Sequence, residues 1–210
     1  MKSTLFTFIM AFVWPLVGEA QTQKGHWTVG AQIGSVSYQK QNESRTIVFN
    51  ITPSAGYFVA DGLVIGTGIP ISASSQKTTN SDIFYGYKYT SSAIGLSPFV
   101  RYFLGKKKLK PYLGVAYSYS QTSSKRMRRE PTGTFESEGK GKITAFVPTV
   151  GVAYFISQNL GLTVGLNYNI NHQDQESTTY TPGYPSGTTS YDSDTKLFSL
   201  TAGFQLFIGK

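Results

Sequence analysis

Histidine is scarce in this 210-residue chain, and only His26 and His172 are present. His172 opens the string His172-x-Asp174-x-Glu176, with serines and threonines close by. An imidazole held by a carboxylate can activate a hydroxyl nucleophile when base and hydroxyl lie within hydrogen-bond reach and a third group orients the base. A string of this kind in a polar stretch arises readily by chance, so no catalytic residue is assigned. Two histidines and no cysteine give a metal site little support, and no cofactor is expected. The missing cysteines also exclude disulfides and thiol chemistry.

The other groups with chemical potential are cations, in keeping with a net charge of +8. Lys125, Arg126, Arg128 and Arg129 form one run, and guanidinium groups suit planar, bidentate contacts with phosphate. The plainer reading is a solvated loop balanced by Glu130, Glu136 and Glu138. Lys106, Lys107, Lys108 and Lys110 make a second cluster in a short segment. Arg101 stands apart, alone in the middle of a run of alternating residues.

The elements that position these groups are strands. Between Phe146 and Tyr154, Phe146, Pro148, Val150, Val152 and Tyr154 share one parity, against Val147, Thr149, Gly151 and Ala153. After a short link, Leu160, Leu162, Val164, Leu166, Tyr168 and Ile170 alternate with Gly161, Thr163, Gly165, Asn167 and Asn169. Strict period 2 on both sides of a short turn predicts an antiparallel hairpin. Each arm has about ten residues, the length of a tilted strand that crosses a bilayer. Large apolar residues on one face and Gly, Thr and Asn on the other suit lipid outside and a tight polar lumen inside.

The same pattern recurs at residues 26–38, where Gly34-Ser35 offers a phase shift, and at 46–57, 63–71, 94–104, 113–119 and 198–208. The predicted fold is all-β, an eight-stranded antiparallel up-and-down transmembrane barrel. The connections after the second, fourth and sixth strands are short, and Asp61-Gly62 carries a tight-turn signal. Those after the third, fifth and seventh, at 74–90, 121–141 and 171–195, are long and polar; the first, at 39–45, is intermediate. Division of the loops by side is the outer-membrane pattern, and it places both termini on the periplasmic side. Residues 1–20 are expected to be a signal peptide: Lys2, an apolar stretch and the small residues Gly18-Glu19-Ala20 precede a barrel domain at 21–210.

On this topology Tyr57, Tyr102 and Tyr154 face outward at one barrel end as an aromatic girdle, each preceded by a proline and followed by a phenylalanine. The prolines Pro53, Pro98 and Pro148 each delete a ladder donor, which bulges could accommodate. Arg101 points into the lumen, with Asp61 as a candidate partner. The Lys106, Lys107, Lys108 and Lys110 turn would meet anionic headgroups on the periplasmic side, or simply be solvated. The Lys125–Arg129 run would meet lipopolysaccharide phosphates or another anionic surface on the far side.

Ser97-Pro98-Phe99-Val100-Arg101-Tyr102-Phe103, Pro111-Tyr112-Leu113-Gly114-Val115-Ala116-Tyr117 and Gly151-Val152-Ala153-Tyr154-Phe155 resemble segments of the small bacterial outer-membrane β-barrel domain family, akin to the OmpA/OmpX-type eight-stranded barrels. The resemblance implies a bacterial outer-membrane location and this fold, but no single activity. Many such chains end on an aromatic residue, whereas this one runs on as Phe207-Ile208-Gly209-Lys210. The expected role is structural, or interaction with a surface glycan or protein through the long loops. Expected partners are outer-membrane lipids and lipopolysaccharide, with no nucleic acid, and the expected state is a monomer. A lipid-modifying enzyme and a small pore are the alternatives.

Overall fold

Alternation along an extended chain puts every second side chain on the same face of a sheet, and the described residues are strand over most of their length. The computed structural model describes residues 22–41, 44–80, 85–105, 107–130, 133–180 and 187–209. They form nine antiparallel strands: β1 (Trp27–Gln41), β2 (Ser44–Ala60), β3 (Leu63–Gly68), β4 (Ile71–Asn80), β5 (Tyr85–Phe103), β6 (Leu109–Glu130), β7 (Gly133–Phe155), β8 (Leu160–Tyr180) and β9 (Gly187–Ile208). The predicted signal peptide lies outside the described residues.

β3 and β4 are two halves of one barrel strand. Both pair with β2 on one side and β5 on the other, and Ile69-Pro70 separates them. β1 pairs with β2 and also with β9, so the sheet returns on itself as a ring of eight strands. The phase shift at Gly34-Ser35 is real, because the β1–β2 register slips between Ile33 and Ser35.

The prolines need no bulge. On the β5–β6 ladder the bridges jump from Leu96↔Tyr119 to Phe99↔Ala116, leaving out Pro98. On β7–β8 they jump from Phe146↔Ile170 to Thr149↔Asn167, leaving out Pro148. Pro53 stands opposite the β3/β4 break, where its carbonyl accepts from the Ile69 amide at 2.8 Å. Each jump spans the same number of residues on both strands, so the register carries straight through the missing donor.

The long polar loops expected at 74–90, 121–141 and 171–195, and the intermediate one at 39–45, are corrected by the structure. Most of their residues continue the strands, with pairing as far as Gln41↔Ser44, Asn80↔Tyr85, Glu130↔Gly133 and Thr179↔Gly187. The reason is physical. Beyond the apolar belt both faces of a ribbon meet water or polar neighbours, so the hydrophobic alternation that marks a strand disappears while the backbone ladder persists. β6 runs eleven residues past Tyr119 to Glu130, roughly 35 Å of further strand.

Candidate functional site

The inward parity builds a lumen in two storeys. At the short-turn end Phe58, Phe103, Tyr112, Phe155 and Phe207 are all at most 3% exposed and close the barrel. Phe155 and Phe207 have ring centroids 4.9 Å apart, Phe103 and Tyr112 5.4 Å, and Phe58 lies 6.0 Å from Phe103 and 6.1 Å from Phe207. These are the tilted, offset distances at which aromatic pairs attract. Glycines make the room: a Cβ on Gly151 or Gly165 would come within 2.6 or 2.7 Å of the Tyr112 hydroxyl. The chain before β1 lies across this end. The Gly25 amide donates to the Phe58 carbonyl and the Gly62 amide to the Thr22 carbonyl. The Lys24 amide donates to the Asp61 carboxylate at 2.9 Å.

Above this floor the walls are polar. Thr149 donates to Asn167 Oδ1 at 2.7 Å, Asn167 donates to Thr201 at 3.1 Å, and Asn169 donates to Ser199 at 2.8 Å. They line a cavity of about 510 Å³ with Gln32, Asn50, Ser97 and Arg101. Higher still, Gln175 on β8 reaches across β7 to donate to Ser124 on β6 at 3.0 Å. Gly139 leaves that path clear, since its Cβ would meet both partners.

Arg101 does project into the lumen, 9% exposed, but Asp61 is not its partner. The guanidinium lies over two rings, 4.7 Å from the Tyr112 centroid and 5.2 Å from that of Phe99. Its Nη1 has no hydrogen-bond partner among the described residues. Cation–π stacking on the aromatic floor replaces the expected ion pair. Asp61 instead accepts from the Lys24 amide, which sequence distance conceals.

The two cationic runs divide once they are strands. Lys110 does not belong to an exposed turn: it is 6% exposed, donates to the Thr22 hydroxyl at 2.8 Å and stands 5.0 Å from the Phe155 ring. Lys107 and Lys108 remain exposed in the turn, and Lys106 lies outside the described residues. In β6 the run at 125–129 alternates. Lys125 and Arg129 share the outward parity, and Lys125 bridges Glu136 at 3.1 Å and Glu138 at 3.2 Å. The bond to Glu136, then that to Glu138, holds the Lys125 ammonium above the ordinary lysine range. Arg126 and Arg128 turn to the other face, 5.7 Å from the Tyr89 ring and 5.3 Å from that of Phe135.

Outside, Tyr57, Tyr102 and Tyr154 stand exposed at the short-turn end, with Trp27 packed 5.1 Å from Tyr57. Sequence reading missed that the Phe after each Tyr points inward to form the floor. The repeated Tyr-Phe pair was the available signal, since neighbours in a strand face opposite ways. At the other rim Tyr168 and Phe198 pair across β8 and β9 at 4.8 Å.

Beyond that rim His172 gathers three carboxylates. Its Nδ1 is 2.8 Å from Asp194 and 3.6 Å from Asp192, and its Nε2 is 3.3 Å from Asp174. The hydrogen bond to Asp194, then the charge on Asp192, raises the imidazole above its ordinary value. Donor atoms of His172, Asp174 and Asp192 lie within 4.8 Å of one another, close enough to share a cation, though all three are exposed. Glu176 pairs across the ladder with Lys140 and Ser190 and takes no part in this cluster. A hydroxyl nucleophile bonded to His172 is absent among the described residues, so the arrangement lacks the reach that hydroxyl activation requires.

A closed ring of antiparallel strands with an apolar exterior and a polar lumen belongs to membranes. The family model described as the outer membrane protein beta-barrel domain matches residues 4–205. The chain belongs to that outer-membrane barrel family. Among solved structures it is similar to the outer membrane protein OprG from Pseudomonas aeruginosa, at 13% identity and TM-score 0.53, with 91% of this chain and 99% of that one covered. At that identity the likeness speaks for the fold alone. It is also similar to a major outer membrane protein from Thermus thermophilus, at 12% identity, TM-score 0.46, and 89% and 100% coverage. The N-terminal β-barrel domain of Pseudomonas aeruginosa OprF follows at 11%, 0.41, and 88% and 98%. No curated protein matches the chain.

Proposed function

We propose that this outer-membrane barrel serves the envelope as a structural and surface-interaction protein, neither a pore nor an enzyme, with its termini in the periplasm and its long hairpins outside. The observation that carries this reading is the contrast between the two ends. One is sealed by five packed aromatic side chains and the chain at 22–26. The other extends as polar two-stranded ribbons that expose Ser, Thr, Tyr and charged residues. Exported chains of this family leave their short turns inside. Outer-membrane lipids surround the belt, lipopolysaccharide meets the hairpins, and a surface glycan or protein is the class of ligand that such ribbons suit.

The test uses the cysteine-free sequence. Single cysteines at Ser123 and at Lys107 are introduced separately and probed on intact cells with a membrane-impermeant maleimide. Labelling at 123 and not at 107 is expected, together with a heat-modifiable band and no steady conductance in planar bilayers. Labelling at 107 alone would reverse the orientation, and stable single-channel currents would return the pore.

A further inference from the structure

Register lines up four cations, at positions 40, 45, 77 and 88 of the sequence, on four successive strands. On the outward face Lys40 of β1 stands directly opposite Arg45 of β2, Arg45 opposite Lys77 of β4, and Lys77 opposite Lys88 of β5. All four are exposed, and none forms an ion pair among the described residues. Arg129 on β6 extends the set, since Lys88 pairs with Met127 and Arg129 lies two residues further on the same face. Like charges directly opposite on a ladder destabilise a sheet. Here that arrangement repeats over three consecutive strand pairs, whereas Lys125 on the neighbouring strand has Glu136 and Glu138 and the lysines of β7, Lys140 and Lys142, face Glu176 and Asp174.

The row also has a defined place. Outward-facing Tyr38 and Ile47, the last apolar pair of β1 and β2, lie two residues below Lys40 and Arg45. On β4 and β5 only small polar or apolar residues, Ala73, Ser75, Thr90 and Ser92, separate Lys77 and Lys88 from Ile71 and Ile94. The row therefore rises from the edge of the lipid belt into the headgroup zone. Four strands spaced about 4.8 Å apart make it roughly 14 Å wide.

We propose that the Lys40–Arg45–Lys77–Lys88 row is a docking face for the phosphorylated sugar headgroup of an outer-leaflet glycolipid, the lipid A portion of lipopolysaccharide. Charge complementarity selects it: a membrane-embedded polyanion is the counterion that lies at this height, and surface-proximal basic residues bind such headgroups additively. Arg45 and Arg129 supply bidentate phosphate contacts, and the lysines act as point charges on flexible stems. This inference rests on the orientation given above, with the long hairpins outside.

The folded full-length mature barrel in zwitterionic micelles is titrated with fluorescent bisphosphoryl lipid A, with its fully dephosphorylated counterpart, and with phosphatidylethanolamine. Wild type is expected to prefer the bisphosphoryl form, and added salt should weaken that preference. Replacing Lys40, Arg45, Lys77 and Lys88 by Gln is expected to lower the affinity by roughly five-hundredfold, from about fivefold per cation. Lys140→Gln with Lys142→Gln, which removes two charges from the same face, is expected to change it less than about threefold. Equal binding by the fourfold variant, equal loss in the control, or equal affinity of wild type for dephosphorylated lipid would each overturn the proposal. Folding is read separately by the heat-modifiable band. A barrel that folds and labels outside at residue 123 but shows no loss refutes this face alone, and labelling at 107 instead refutes the orientation with it.

Discussion

Phe204 and Phe207 lie on one strand, three residues apart, and face opposite ways, which makes truncating each a direct test of which side of the sheet is solid. Phe207 is 2% exposed and touches three rings, with centroids 4.9 Å from Phe155, 6.1 Å from Phe58 and 6.3 Å from Phe103. Phe207→Ala removes the transfer energy of the ring and leaves a cavity that fixed strands cannot collapse. Its cost falls at the upper end of about 3–5 kcal/mol. Phe204 is 46% exposed on the lipid face. Its truncation loses transfer energy of about 1.5–3 kcal/mol, but fluid acyl chains refill the gap and no cavity term arises. The difference is about 2 kcal/mol, which at a urea slope of about 1–3 kcal/mol per molar separates the midpoints by about 1 M. The assay is urea unfolding in lipid vesicles, followed by the fluorescence of Trp27, the one tryptophan beyond residue 20. Phe204→Ala unfolding at or below the midpoint of Phe207→Ala would mean that the outward parity is the packed core. The membrane topology would then be wrong.

Val164 and Leu200 face lipid, so Val164→Arg or Leu200→Arg is expected to cost about 2–4 kcal/mol near the midplane and to deplete the heat-modifiable band; normal insertion of both would count against the belt. Arg101 has rings and no carboxylate beside it, so Arg101→Met is expected to leave urea stability unchanged or raise it by about 1 kcal/mol. A large loss would show that the guanidinium has a polar partner that holds the fold. The His172 imidazole, bonded to Asp194 and facing Asp192, should titrate above about 6.5, and Asp194→Asn should bring it back toward that value in an NMR titration. Because its folded value is raised, its contribution to stability is complete below the unfolded value and is lost as pH rises through the folded one. An unshifted titration would show that the carboxylates do not act on the ring.

Much of the architecture was legible from alternation alone. The lipid-facing residues, the small residues opposite them and the Asp61-Gly62 turn follow from period 2 and turn chemistry, which are local. The length of the hairpins was not, since polar ribbons carry no hydrophobic signal and were read as loops. Parity also placed Arg101 in the lumen, but its partners depend on which strands close the ring. The sequence neighbours Lys106, Lys107, Lys108 and Lys110 read as one basic turn, yet the start of β6 at Leu109 puts Lys110 inside. The run from Lys125 to Arg129 read as one patch, and a strand divides it between two faces.

The amino-acid order by itself determined that this chain makes amphipathic strands of membrane-spanning length, because face preference is set by each residue and its neighbours two apart. Tertiary structure alone decided what stands beside what across the ladder. Residues 40, 45, 77 and 88 become one row of positive charge, and Phe58, Phe103, Phe155 and Phe207 become one plug, through strand register and ring closure. Those depend on all eight strands at once, and no local pattern encodes them.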